Sequence, residues 1–157
     1  VNDIMPKAMD YISEKGWKQF NLPDFASSQS IAFYELIKII PSKDDFIGIM
    51  IDWMEVVAAK DLEDVDANDL VFELFMQRFE NLYPYRRAMQ SIGFASILYP
   101  SSFLPYTSKW LCNLYTYFGS WDFVAKYLQI LPTWFADEQG LSSTMARVNA
   151  ISNEFQD

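Results

Sequence analysis

Apolar residues recur along this chain at steps of three and four, the spacing of one face of an α-helix. Ile4, Ala8, Tyr11 and Ile12 predict a helix over 3–15, ended by Gly16 at a C′ position. Trp17 and Phe20 then turn onto the core. Asn21 as N-cap, Pro23 in the first turn and Asp24 as a first-turn anion start a second helix near 22. The polar run Ser27-Ser28-Gln29-Ser30 breaks it, and a third helix is predicted from Ile31 to Lys38. Pro41 punctuates the chain. Ser42, with Asp45 three residues on, makes a capping-box-like start to a fourth helix carrying Phe46, Met50, Trp53, Met54 and Val57. The acidic stretch 60–69 reads as a solvated loop ending in Asn68 or Asp69 as an N-cap. Further helices are predicted over 70–82, from Pro84 to Tyr99-Pro100, over 102–118 capped by Ser101 or Ser102, over 121–136 and over 141–155. Gly119-Ser120 is a break, and Pro132 should bend the eighth helix. The pattern is that of an all-α chain of about nine helices, three short ones first, with no tandem repeat and no linker long enough to separate independent domains.

Composition supports a packed helical body. Of 157 residues, 51% are hydrophobic and 17% aromatic, which excludes a disordered chain, while five glycines and seven prolines are too few for a many-turned β sandwich. The net charge is −9. A nucleic-acid binder ordinarily presents a basic face, yet residues 1–47 hold five lysines against seven carboxylates. Cys112 is the sole cysteine and there is no histidine, which removes intrachain disulfides, cysteine-based metal sites and the usual general base. A buried, inert thiol is the expectation for Cys112. No apolar run is long enough to span a bilayer and no basic region precedes an apolar one at Val1, so a cytoplasmic protein is expected.

The order of elements resembles the TetR-type (tetracycline-repressor-like) transcriptional regulators over nearly the whole chain. The resemblance rests on EKGW at 14–17, LPDFA at 22–26, AFYEL at 32–36 and PSKDDF at 41–46. In the second half, FELFMQRFENLYPYRRAM at 72–89 and WDFVAKYLQILPTWFADE at 121–138 resemble a bacterial branch of that family. The C-terminal half of that branch is similar to ubiquinone-biosynthesis lipid-binding proteins of the same fold. The family implies a helix-turn-helix head (1–47), a helical ligand-binding and dimerisation body (48–157), and a homodimer that sets two heads on successive major grooves. Two positions depart from its pattern. Ser30 stands where the turn often carries glycine, and Ile37 and Ile40 stand where an aromatic pair is common on the recognition helix.

Candidate residues follow from both lines. Tyr34, Lys38 and Lys43 are the candidate DNA contacts, with Lys43 at a helix N-terminus that also favours an anion. Trp53, Met54, Phe75, Phe79, Tyr83, Phe94, Trp110 and Tyr117 could line an apolar cavity or pack a core, since both uses need the same spacing. Trp121, Val124, Leu128, Leu131, Trp134 and Phe135 are the candidate dimer surface on helices 8 and 9. Arg86 and Arg87 read as a surface ion pair with Glu80 or as a grip on an acidic head group. The run 61–69 lacks the pattern of a calcium loop. No nucleophile–base pair, phosphate loop or metal quartet is present, so neither an enzyme nor a cofactor is expected. The leading expectation is a dimeric, ligand-responsive DNA-binding regulator with an apolar small molecule in the helical body; the alternative is a lipid or isoprenoid-quinone-precursor binder that has lost DNA binding, and a third is a module that docks another protein through exposed aromatics.

Overall fold

The computed structural model describes residues 3–60, 69–138 and 140–155. It is all-helical among those residues, with α1 (Ile4–Lys15), α2 (Leu22–Ser28), α3 (Phe33–Ile39), α4 (Lys43–Ala58), α5 (Leu70–Leu82), a 3-10 turn (Tyr83–Tyr85), α6 (Arg86–Leu98), α7 (Pro100–Phe118), α8 (Trp121–Ala136) and α9 (Ser142–Glu154). The chain divides into two compact units. The first holds residues 1–54 and 85–110, the second 55–84 and 111–157, so the divisions fall inside α4, inside α7 and at the 3-10 turn.

In the first unit α1 packs on α6, and α2 on α3. Gly16 ends α1 at φ 84, and its amide donates to the Ile12 carbonyl at 2.8 Å. The next amide, Trp17 N–H, donates to Ser91 Oγ on α6 at 2.8 Å, which fixes the corner to its neighbour. Trp17, Phe20, Phe25 and Phe46 then meet ring to ring at centroid distances of 5.1–5.8 Å, all buried. These four aromatics join Met5, Met9, Ile12 and Leu36 in the core of the unit, and the apolar surface buried there holds two short helices that would be marginal alone.

In the second unit α9 packs on α5 and α8. Phe75, Phe79, Tyr127 and Trp134 are fully buried, with Phe79 stacked on Tyr127 at 4.9 Å. Trp134 Nε1 donates to the Phe79 carbonyl at 3.0 Å, which settles the one polar atom of that ring. Asp137, at the end of α8, accepts from both Thr144 N at 3.0 Å and Thr144 Oγ1 at 2.9 Å. It thereby puts a carboxylate at the first turn of α9, where orphan amides and the helix dipole favour it.

Several boundaries differ from the sequence expectation for stated reasons. The third helix starts at Phe33, not Ile31, because the turn continues: Ser30 sits at φ 55 and Ile31 N–H bonds back to the Ala26 carbonyl at 2.9 Å. Pro84 lies inside a 3-10 turn and does not open α6, which begins at Arg86. The seventh helix begins at Pro100, so Ser101 and Ser102 lie in its first turn and do not cap it; proline at N1 has no amide to satisfy. The α7 helix also carries Pro105 internally, and α8 runs through Pro132. Asp69 is the N-cap of α5 but makes no side-chain cap bond. Asn68 and most of the acidic loop lie outside the described residues. Cys112 is exposed on α7, contrary to expectation, because the buried stripe there runs through Leu114 and Phe118.

Ser30 holds a left-handed conformation that costs an L-residue about 1–2 kcal/mol. Ser30→Gly removes that strain against a smaller loss of chain entropy and should raise stability by about 0.5–1 kcal/mol. Urea denaturation checks it; an unchanged or lower midpoint would mean Ser30 is not strained.

Candidate functional site

The candidate DNA contacts lie at the α2–α3–α4 corner of the first unit, and the apolar candidates are spread over both units. The corner is built locally. Asn21 Oδ1 accepts from Asp24 N–H at 2.9 Å, and Asn21 Nδ2 donates to Asp24 Oδ2 at 2.8 Å, which starts α2. Beyond the turn that follows α2, Leu36 is the buried residue of α3, with buried Ile40 just past its end. Its outer face carries Phe33, Tyr34 and Ile37, exposed by 45%, 63% and 36%.

The charges on that corner are already engaged. Lys38 Nζ bonds Glu35 Oε1 at 3.1 Å and lies 5.4 Å from the Tyr34 ring centroid. Lys43 Nζ donates to the Trp17 carbonyl at 2.7 Å and lies 4.6 Å from the Trp17 ring centroid. Burial lowers the pKa of Lys43, against the opposing pull of Asp44. Lys43 is therefore a tie between the α1–α2 corner and the start of α4. The N-terminus of α4 is also occupied electrostatically. Ser42 Oγ accepts from Asp45 N–H at 3.1 Å and donates to Asp45 Oδ2 at 2.8 Å, while Asp44 adds a second carboxylate. A phosphate approaching this helix end would meet two anions where the dipole alone would attract it.

The eight cavity candidates do not gather in one unit. Trp53, Met54, Phe94 and Trp110 belong to the first, and Phe75, Phe79, Tyr83 and Tyr117 to the second. Trp53 and Met54 are buried, and Trp53 meets Tyr85 edge to face at 4.8 Å. Phe94 is 63% exposed, and Trp110 is half-buried. Tyr83 Oη donates to the Asp137 carbonyl at 2.9 Å and Tyr117 Oη to the Leu74 carbonyl at 2.7 Å. Of the six dimer candidates, Val124 and Trp134 lie in this chain's own core. Leu128, Leu131 and Phe135 are half-buried, and Trp121 is 57% exposed beside Tyr115.

The most unusual group lies on α5 and was not singled out by its sequence context. Arg78 is completely buried and binds Glu55 in a bidentate fork, Nη1–Oε2 at 2.9 Å and Nη2–Oε1 at 2.7 Å. Its guanidinium carbon lies 4.8 Å from the Tyr117 ring centroid and 5.4 Å from that of Tyr127. Burial pulls the guanidinium pKa down, but Tyr127 and Glu55 outweigh it and the group is raised, hence always charged. Burial also pushes the Tyr117 and Tyr127 hydroxyls up, with Arg78 opposing, so both stay protonated at neutral pH. Arg78 Nε and Tyr127 Oη are buried with no hydrogen-bond partner among the described residues. The signal for this pair was an arginine on the apolar stripe Phe75, Phe79, Leu82; its partner, 23 residues away, had none.

No cluster of metal-ligating side chains occurs among the described residues, and no helix there is long and apolar enough to cross a membrane. Arg87 is exposed and Arg86 half-buried at the start of α6. No protein-family model, curated protein or solved structure matches the chain.

Glu55→Gln leaves the Arg78 charge buried without its counter-ion and should cost about 2–3 kcal/mol, less than a fully buried pair because Glu55 keeps some solvent. The double variant Glu55→Leu, Arg78→Met removes both charges and should lose less than about 1.5 kcal/mol. Chemical denaturation of both variants decides it, and a neutral Glu55→Gln would deny the pair its structural weight. A second consequence concerns pH. Because the folded tyrosine pKa values lie above the ordinary 10.0, their contribution is complete below that value and is lost as pH rises through the higher folded ones. Stability should therefore fall above pH 10, and Tyr127→Phe should be neutral at pH 7 and flatten that fall. An unchanged alkaline slope in Tyr127→Phe would contradict it.

Proposed function

We propose that this chain is a non-catalytic helical binding protein on a TetR-like plan, which engages an apolar, lipid-like molecule and no longer reads DNA. One observation carries the proposal: the outward face of α3 offers Phe33, Tyr34 and Ile37, while the two candidate phosphate contacts are held by Glu35 and by the Trp17 carbonyl. DNA affinity comes from cations free to release counterions, and a lysine already paired releases few. Exposed apolar groups in company are instead the mark of an apolar partner. An isoprenoid lipid, as the family resemblance suggests, suits a face of two aromatic rings and a branched aliphatic chain.

A dimeric, ligand-responsive regulator of the TetR type is the second reading. It is favoured by the placement of Tyr34 and Lys38 on the open side of α3, where a recognition helix would present them. In that mechanism an apolar ligand in the body would bind the two head spacings with different affinity and so shift the DNA-competent state.

Fluorescence anisotropy with DNA fragments, alongside binding of a fluorescent polyisoprenoid probe, separates the two. The proposal expects no saturable DNA binding at about 50 mM salt, where even modest phosphate contacts register. It also expects Phe33→Ser with Ile37→Ser to weaken the probe by roughly tenfold, through lost apolar area. Saturable DNA binding that falls with salt and with Lys38→Ala, and a probe that is ignored, would overturn it.

A further inference from the structure

The geometry points to a second copy of this chain as the occupant of the apolar corner where α6 meets α7. Phe94, Ile97 and Leu98 follow one another at steps of three and four, so they share one face at the end of α6. The chain then turns through Tyr99 into α7, where Leu104 stands one turn inside. These five side chains are exposed by 63%, 75%, 57%, 61% and 64%. The opposite face of α6 is the one used internally, through Ala88, Met89 and Ile92. The helix therefore has two apolar faces and only one of them is covered within its own unit.

Size and charge select the occupant. Fractional exposures of this order on five large side chains amount to roughly 600 Å² of apolar surface, at the top of what a lone protein leaves open. With a polar rim such a patch approaches the roughly 800 Å² per partner of a standard interface. The corner is also the one long uncharged stretch of an acidic protein: residues 88–108 contain no Asp, Glu, Lys or Arg, in a chain of net charge −9. Two such chains repel through most of their surface, and here they meet without setting carboxylate against carboxylate. An anionic bilayer would be repelled by the chain; of the two cations bordering this stretch, Lys109 is bonded to Asp52 at 2.8 Å, and Arg87 stands at the start of α6, about two turns from Phe94. A two-fold axis through the corner makes the patch its own complement, with Ile97 near its centre. The α8–α9 face offers less: of the large apolar side chains there, Trp121, Met145 and Phe155 are exposed by 57%, 42% and 41%.

Sedimentation velocity of the whole chain at micromolar concentration tests this. The expected result is a species of twice the 18.3 kDa chain mass. Ile97→Glu and Leu104→Glu each place two like charges in the interface and should weaken it at least about 100-fold, to monomer. Trp121→Glu, at a residue 57% exposed on α8, should stay dimeric. Circular dichroism and urea midpoints confirm that the variants fold, and Ile97→Ser serves if the glutamate does not. A monomeric parent protein overturns the proposal, as does a dimer that survives both glutamates or is lost in Trp121→Glu. A monomer that binds zwitterionic vesicles through Ile97 overturns it in favour of a membrane contact.

Discussion

Burial of Arg78 sets the terms for the second unit. A guanidinium withdrawn from water is costly unless its charge is matched and its donors are met; the neighbouring residues match the charge and meet both terminal nitrogens, leaving Nε without a partner among the described residues. Glu55, at the end of α4, meets two of its nitrogens; Tyr117 from α7 and Tyr127 from α8 cover it with their rings. Four helices thus converge on one side chain with fixed geometry, where apolar packing alone would allow them to slide. Phe79, one residue along α5, stacks on Tyr127 and accepts the Trp134 indole N–H through its carbonyl, so the apolar core is registered to the same pair.

The same economy of charge recurs elsewhere and bears on function. Lys38 is joined to Glu35, Lys109 to Asp52, Lys126 to Glu154, and Lys43 to a backbone carbonyl. In a chain with 21 carboxylates and 12 basic side chains, cations are scarce, and these four are held by internal partners. What remains open to an outside molecule on α3 and on the α6–α7 corner is aromatic and aliphatic. The proposed recognition by apolar contact rests on that distribution, and it accords with the aromatic-rich composition better than counterion release does.

Much of the fold could be read from the chain because local signals agreed with one another. Asn21-Leu22-Pro23-Asp24 and Ser42 with Asp45 are caps whose hydrogen bonds form as their spacing implies, and the periodicity over 70–82 and 121–136 marks α5 and α8. Starts set by proline were harder: Pro84 sits in a 3-10 turn and Pro100 begins a helix, and one residue type serves both uses. The site was less legible. Periodicity identifies an apolar face but not what covers it, so Phe94 on the outside of α6 and Phe79 inside the second unit look alike in sequence. Val124 and Trp134 have the spacing of an interface stripe and serve this chain's own core instead. Glu55 carried no mark of its tie to Arg78, because the two are joined by folding and not by spacing.

Native mass spectrometry of the freshly purified chain tests the proposed apolar recognition in place of DNA recognition. The expected result is a protein that carries, through gentle ionisation, a non-covalent adduct of lipid mass which organic solvent strips away. A protein free of any adduct, which acquires mass only when a DNA duplex is added, would contradict it.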